Sequence, residues 1–174
     1  SITLHESSGH FYTFIQKRFR FVLILTAVCF LLFAAGNDRF SLFNNSETNY
    51  ARVTQEMVNS GDYLNLTYNG KNWYVHPPLH FWISGWLCEQ FGWTDFNLRL
   101  PEASFGLLMV LLTFGLARLF VSNRIAFWSS LILGSSFYYF VISRLAIFDT
   151  MFNFFMLLCI YCFFKAYYHP GKKG

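Results

Sequence analysis

Two carboxylates in this 174-residue chain, Asp149 and Glu47, are candidates to accept a proton. Asp149 follows Arg144-Leu145-Ala146-Ile147-Phe148 and precedes the apolar run Met151 to Phe164. An acid at the edge of such a run is paired or functional by default. It could accept a proton from an attacking hydroxyl, pair with Arg144, or cap a helix. Glu47 opens a helical segment, and its simplest role there is to complement the helix dipole. Arg52, Arg99 and Arg144 present planar forks of donors that suit phosphate. Each has a plainer use: Arg52 with Glu56 as a solvated i,i+4 pair, Arg99 as an interface anchor, Arg144 as the partner of Asp149. His76 and His80 are four apart, and two histidines are too few to hold a metal. A surface or packing role is the competing reading for both. Trp73, Tyr74, Trp82 and Trp86 could stack on a sugar or an isoprenoid, or anchor the chain at an interface. Cys159 and Cys162 form a CxxC without polar neighbours, which reads as packing of an apolar helix rather than a thiolate site.

The elements that must position these groups are apolar. The chain is 55% hydrophobic, 22% aromatic and only 13% charged, with 23 Phe. That composition excludes disorder and an ordinary soluble domain, where charged residues make up about 25%. The basic residues form no long patch, so nucleic acid is not a partner. The expected fold is an all-α membrane protein with four transmembrane helices: 21–36, 99–121, 125–143 and 147–166. Residues 1–20 and 167–174 are expected as inner tails. A signal peptide is the rival for the first span, given its basic start and Ala34-Ala35-Gly36. With the N-terminus inside, eight of the 13 Lys and Arg fall on the inner side and eight of the nine Asp and Glu on the outer side.

The outer loop, 37–98, is too long for a connector. A helix over about 46–60 places Tyr50, Thr54, Met57 and Val58 on one face, as in a helix lying on a membrane surface. Asn69-Gly70 between Tyr63–Tyr68 and Lys71–Val75 predicts a small hairpin with a type I′ turn. A second interfacial helix, about 78–91, opens at Pro77-Pro78, with Leu79, Trp82, Ile83 and Trp86 as its apolar stripe. Asn44-Asn45-Ser46 and Asn65-Leu66-Thr67 match the glycosylation sequon, a pattern common by chance.

Seven pieces then follow one known order: Glu47-Thr48-Asn49-Tyr50-Ala51-Arg52, Glu56 to Tyr63, Asn69-Gly70, His76-Pro77-Pro78-Leu79-His80-Phe81-Trp82, Phe91-Gly92, Asn97-Leu98-Arg99-Leu100-Pro101, and Arg144 to Asp149. Together they resemble the start of GT-C type polyprenyl-phosphate-dependent glycosyltransferases, near bacterial aminoarabinose-transferase-like enzymes and protein mannosyltransferases. The resemblance implies sugar transfer from a polyprenyl phosphate to a lipid or protein acceptor on the outer face of the inner membrane. It implies catalytic roles for Glu47 and Asp149 and substrate-binding roles for Arg52, His76, Arg99 and Arg144. The family's usual Asp-Glu pair is Ser46-Glu47 here, and its usual Glu-Lys before the prolines is Val75-His76. His76 is left as a donor to phosphate. No cofactor follows from the residues, and a divalent metal ion stays open. Family members carry many more spans, so the chain is expected to be an N-terminal fragment, inactive alone. A non-catalytic scaffold or a transporter fragment is the alternative. Transporters favour ionisable groups near mid-bilayer, and the second and third spans lack them away from their ends.

Overall fold

The computed structural model describes residues 20–37 and 45–168. The expected N-terminal tail, the start of the outer loop and most of the C-terminal tail lie outside them. In chain order the elements are α1 (Arg20–Ala34), α2 (Asn45–Ser60), β1 (Thr67–Tyr68), β2 (Lys71–Asn72), α3 (Leu79–Phe91), α4 (Asp95–Ala117), α5 (Asn123–Ser135), α6 (Phe137–Ile142) and α7 (Asp149–Tyr168). The chain is predominantly helical. Among the described residues, α4 and α7 are long and apolar enough to cross a membrane. Their 23 and 20 residues extend about 35 and 30 Å at 1.5 Å per residue.

α4 packs against α5 and α7, α3 packs on α4, and α2 packs on α3. One apolar core joins α1, α4 and α5 through Leu25, Cys29, Phe33, Ala103, Val110, Phe114, Ala126 and Phe127. A second lies under the loop region and is built from Tyr50, Val53, Met57, Leu66 and Phe81. A Cβ on Gly106 would sit 2.8 Å from Ser143 Oγ. That glycine lets the α6 end lie directly on α4, where Tyr139 Oη donates to Gly106 O at 2.8 Å.

Three sequence expectations change. The span expected at 99–121 starts four residues earlier, because Thr94 caps α4 by accepting the Asn97 N–H at 3.2 Å. Its polar residues are satisfied inside the protein, so they do not end the helix. The single span expected at 125–143 is two helices broken at Ser136, whose backbone is extended (φ −66, ψ 133). The Ser135 and Ser136 hydroxyls donate to Ile132 O and Leu133 O, the local bonding by which serine competes with a helix.

The third change concerns α2. Its apolar face is not laid on a surface: Tyr50, Val53, Thr54 and Met57 are buried, and the helix packs on α3. In α3 the expected interfacial stripe lies on the outer side of the protein. His80, Phe81, Ser84, Gly85 and Cys88 face inward, while Trp82 and Trp86 are exposed. Gly85 lets α3 approach α2 closely, since a Cβ there would meet Met57 Cε at 2.8 Å. The hairpin forms as expected but shorter, with Asn69 and Gly70 at φ 51 and 72 and Thr67 opposite Asn72.

Candidate active site

The site gathers where α2, α3 and α4 meet the loop before α7. Glu47, in the first turn of α2, is fully buried. Its Oε1 accepts Arg99 Nε at 2.9 Å and the Ala146 N–H at 2.8 Å, and its Oε2 accepts Arg99 Nη2 at 3.1 Å. Arg99 Nη1 donates to Asn37 O at 2.8 Å. One bidentate pair therefore ties the end of α1, the start of α2, α4 and the loop 144–148 together. Burial of such a pair is tolerable because the hydrogen bonds are nearly complete.

Arg144 closes the same corner. Nη1 and Nη2 donate to Leu32 O and Ala35 O at 2.6 and 2.8 Å, one in the last turn of α1 and one just past it, and the guanidinium lies over the Phe140 ring. Cations belong at helix C-termini, where carbonyls lack intrahelical partners. Burial pulls the Arg144 pKa down, and the nearby Arg99 charge adds to it. Both arginines line an open pocket of about 280 Å³ with Gly36, Asn37, Phe140, Val141 and Leu145.

Asp149 is the first residue of α7 and is exposed. It does not pair with Arg144, whose Nη groups bond carbonyls at the end of α1. Its neighbours are Tyr50 and His76, both of which respond to its charge. Burial pushes the Tyr50 phenol up, and Asp149 and Glu102 push it further. Burial pulls His76 below its ordinary value against the opposing pull of Asp149, with His80 helping to lower it. The lowering favours the uncharged imidazole, a hydrogen-bonding group rather than a cation. Its ring stacks on Tyr50 at 5.2 Å between centroids and meets Phe148 at 4.6 Å. Trp73 lies 6.2 Å away.

Below this wall lies a pair that the sequence reading did not single out. His80 Nδ1 is 3.1 Å from Glu102 Oε1, and both side chains are buried. The signal was available: Glu102 is an acid followed immediately by an apolar run, the same rule that singled out Asp149. Tyr50 and Asn37 carried no such signal.

Arg52 stands apart from these groups. It pairs with Glu56 at 2.9 Å, and Glu56 also accepts Thr67 Oγ1 and the Asn69 and Gly70 N–H groups. Arg52 and Glu56 thus brace the hairpin turn. Burial pulls the Glu56 carboxyl up, but the bonds from Gly70, Thr67, Arg52 and Asn69 outweigh it and hold it below its ordinary 4.5. A carboxylate with a lowered folded pKa stabilises above its unfolded pKa and stops doing so as pH falls through the folded one. Glu56→Gln should therefore speed amide exchange at Asn69 and Gly70 at pH 7, with the difference from the parent protein closing below about pH 4.5. An acid-independent difference, measured by hydrogen exchange, would contradict this role.

Among the described residues no group of three His, Cys, Asp or Glu side chains comes together as metal ligands. Cys159 and Cys162 are exposed free thiols, and Cys29 and Cys88 are buried free thiols.

A family model described as dolichyl-phosphate-mannose-protein mannosyltransferase matches residues 18–174. An uncharacterised protein of Aquifex aeolicus is 31% identical over 159 residues, covering 91% of this chain and 31% of that protein. An undecaprenyl phosphate-alpha-4-amino-4-deoxy-L-arabinose arabinosyl transferase 2 of Proteus mirabilis is 32% identical over 126 residues, covering 72% of this chain and 23% of that enzyme. The chain thus matches 31% and 23% of the length of these two relatives. The crystal structure of ArnT from Cupriavidus metallidurans bound to undecaprenyl phosphate shares the fold, with a TM-score of 0.77 at 24% identity, over 88% of this chain and 28% of that one.

Proposed function

We propose that this chain, which belongs to the dolichyl-phosphate-mannose-protein mannosyltransferase family, is the N-terminal part of an integral membrane glycosyltransferase. It moves a sugar from a polyprenyl phosphate to a lipid or protein acceptor on the outer face of the inner membrane. α1 and the α5–α6 segment cross alongside α4 and α7, with the N-terminus inside. The arabinosyl transferase relatives support an undecaprenyl-phosphate donor. The fragment is inactive alone, because most of such an enzyme's length lies outside it.

The observation that carries the reading is an exposed carboxylate at a helix start, four residues beyond Leu145, the last residue lining an arginine-lined pocket. In the reaction an acceptor hydroxyl attacks the anomeric carbon, its proton passes to Asp149, and the bond from that carbon to the phosphate oxygen breaks. The polyprenyl phosphate leaves with the electron pair. Arg144 spends two of its donors on α1 carbonyls, and a guanidinium has five N–H groups; the others serve the leaving phosphate. Arg99 adds a fixed positive charge to the pocket. His76, uncharged, donates a hydrogen bond near Asp149. Glu47, with both oxygens bonded, acts by holding Arg99 and the loop rather than by taking a proton. Arg52 supports the hairpin that covers the site. Charge stabilisation by fixed groups of this kind is worth more in a site shielded from water than in water.

The complete enzyme should release undecaprenyl phosphate from undecaprenyl-phosphate 4-amino-4-deoxy-L-arabinose, or the corresponding polyprenyl phosphate from its mannose conjugate, when envelope lipid and protein fractions are supplied as acceptors. Absence of release from both donors, in protein shown to be folded, would reject the reading.

A further inference from the structure

We propose that the buried His80–Glu102 pair is a clamp that sets the first turn of α7 and thereby the carboxylate of Asp149; this rests on the reading of Asp149 as proton acceptor. Glu102 is fully buried and His80 nearly so. An ion pair or a shared proton in such surroundings gives little stability compared with apolar side chains of the same volume. Its geometry says what it does instead.

Glu102 Oε1 meets His80 Nδ1 at 3.1 Å, and Oε2 accepts the Met151 N–H at 3.1 Å. The Met151 amide is one of the first-turn donors that a helix cannot satisfy from within. Glu102 therefore caps α7 from α4, two residues beyond Asp149. On the other side the His80 ring stands edge-on to Tyr50, 5.5 Å away at 83°. Tyr50 in turn stacks on His76, and both rings respond to the Asp149 charge. The pair thus contacts the backbone that carries Asp149 and the aromatic wall that faces it. α3, α4 and α7 each contribute one group, so their relative placement is fixed at this point. Neither His80 nor Glu102 needs to touch substrate; they are positioning residues.

The test separates bonding from charge. Glu102→Gln keeps a carbonyl for the Met151 N–H and an amide for His80 Nδ1, whereas Glu102→Leu keeps volume and neither bond. In the complete enzyme E102L is expected to lose about 30- to 100-fold in kcat, the scale of a misplacement near 1 Å, with donor KM moving less than twofold. E102Q is expected to stay within about threefold of the parent. Hydrogen exchange over 147–153 should be about tenfold faster in E102L and near the parent rate in E102Q.

Equal losses in E102L and E102Q would overturn the clamp in favour of a charge effect. Parent-like exchange in E102L would overturn it whatever the kinetics. Should E102L not accumulate, His80→Phe takes its place, since it strips Glu102 of its partner; unchanged kcat and exchange there would also overturn the proposal. Asp149→Asn run in parallel keeps the two ideas apart. An active D149N rejects the catalytic reading, whereas the exchange data judge the clamp on their own.

Discussion

Asp149→Asn in the complete enzyme is expected to lower kcat by at least about 100-fold, the lower end of what a positioned general base contributes. The substitution is close to isosteric, and asparagine is as good as aspartate at a helix start. Asp149 is exposed and makes no ion pair with Arg144, so unfolding should change little. The expected pattern is a lost turnover with an unaltered melting temperature and a donor KM within a few-fold. Asp149→Glu should retain part of the activity, because the carboxylate survives at a longer reach. A second consequence follows from sign alone. The Asp149 charge raises His76 against the lowering effect of burial, so removing it lets the imidazole fall further below its ordinary value. The His76 titration followed by NMR in D149N should move to lower pH. Full sugar transfer by D149N would end the assignment of this residue as proton acceptor.

Arg99→Met should be the most destabilising single change in the chain. It leaves the fully buried Glu47 carboxylate without its cation, and breaking a buried pair from one side costs about 3–5 kcal/mol. Asn37 O also forfeits a donor, and Glu47 keeps only the Ala146 N–H among the bonds described above. The double variant Glu47→Met with Arg99→Met should recover much of the loss, because no charge is then stranded. It should not recover all of it, since Asn37 O and the Ala146 N–H remain without partners at about 1–3 kcal/mol each. Chemical denaturation in detergent of the two single variants and the double variant gives the coupling directly. A single R99M variant within 1 kcal/mol of the parent, an order-of-magnitude threshold well below the expected cost, would show that the pair is not what holds the corner.

The positions of helices were largely legible, and the directions in which they face were not. Turn residues are local: Pro78 and Asn69-Gly70 act through their own backbone, so they mark boundaries in any context. The face that a helix buries depends on its neighbours. In α3 the sequence shows a Trp-rich stripe suited to an interface, but not which residues meet α2. Ser84 and Gly85 turn inward, and α2 is close enough that Met57 Cε would lie 2.8 Å from a Cβ at Gly85.

The site was legible as a list of residue types but not as a set of bonds. Glu47 and Arg99 were both chosen for their chemistry. That they saturate each other depends on a contact across 52 residues, which no spacing rule encodes. The break at Ser136 was hidden for the opposite reason: its cause, serine hydroxyls bonding to the preceding turn, is local, but serine in apolar helices usually does this without breaking them.

The Arg144 bonds to α1 also set a timetable for biosynthesis. Leu32 O waits for a donor 112 residues downstream. At roughly 5–20 residues per second, the ribosome delivers that donor about 6–20 seconds after the acceptor. Through that interval the C-terminal carbonyls of the first helix must be satisfied by water or lipid headgroups at the bilayer edge. The corner that later holds Asp149 in place can close only once the last described helix begins to emerge.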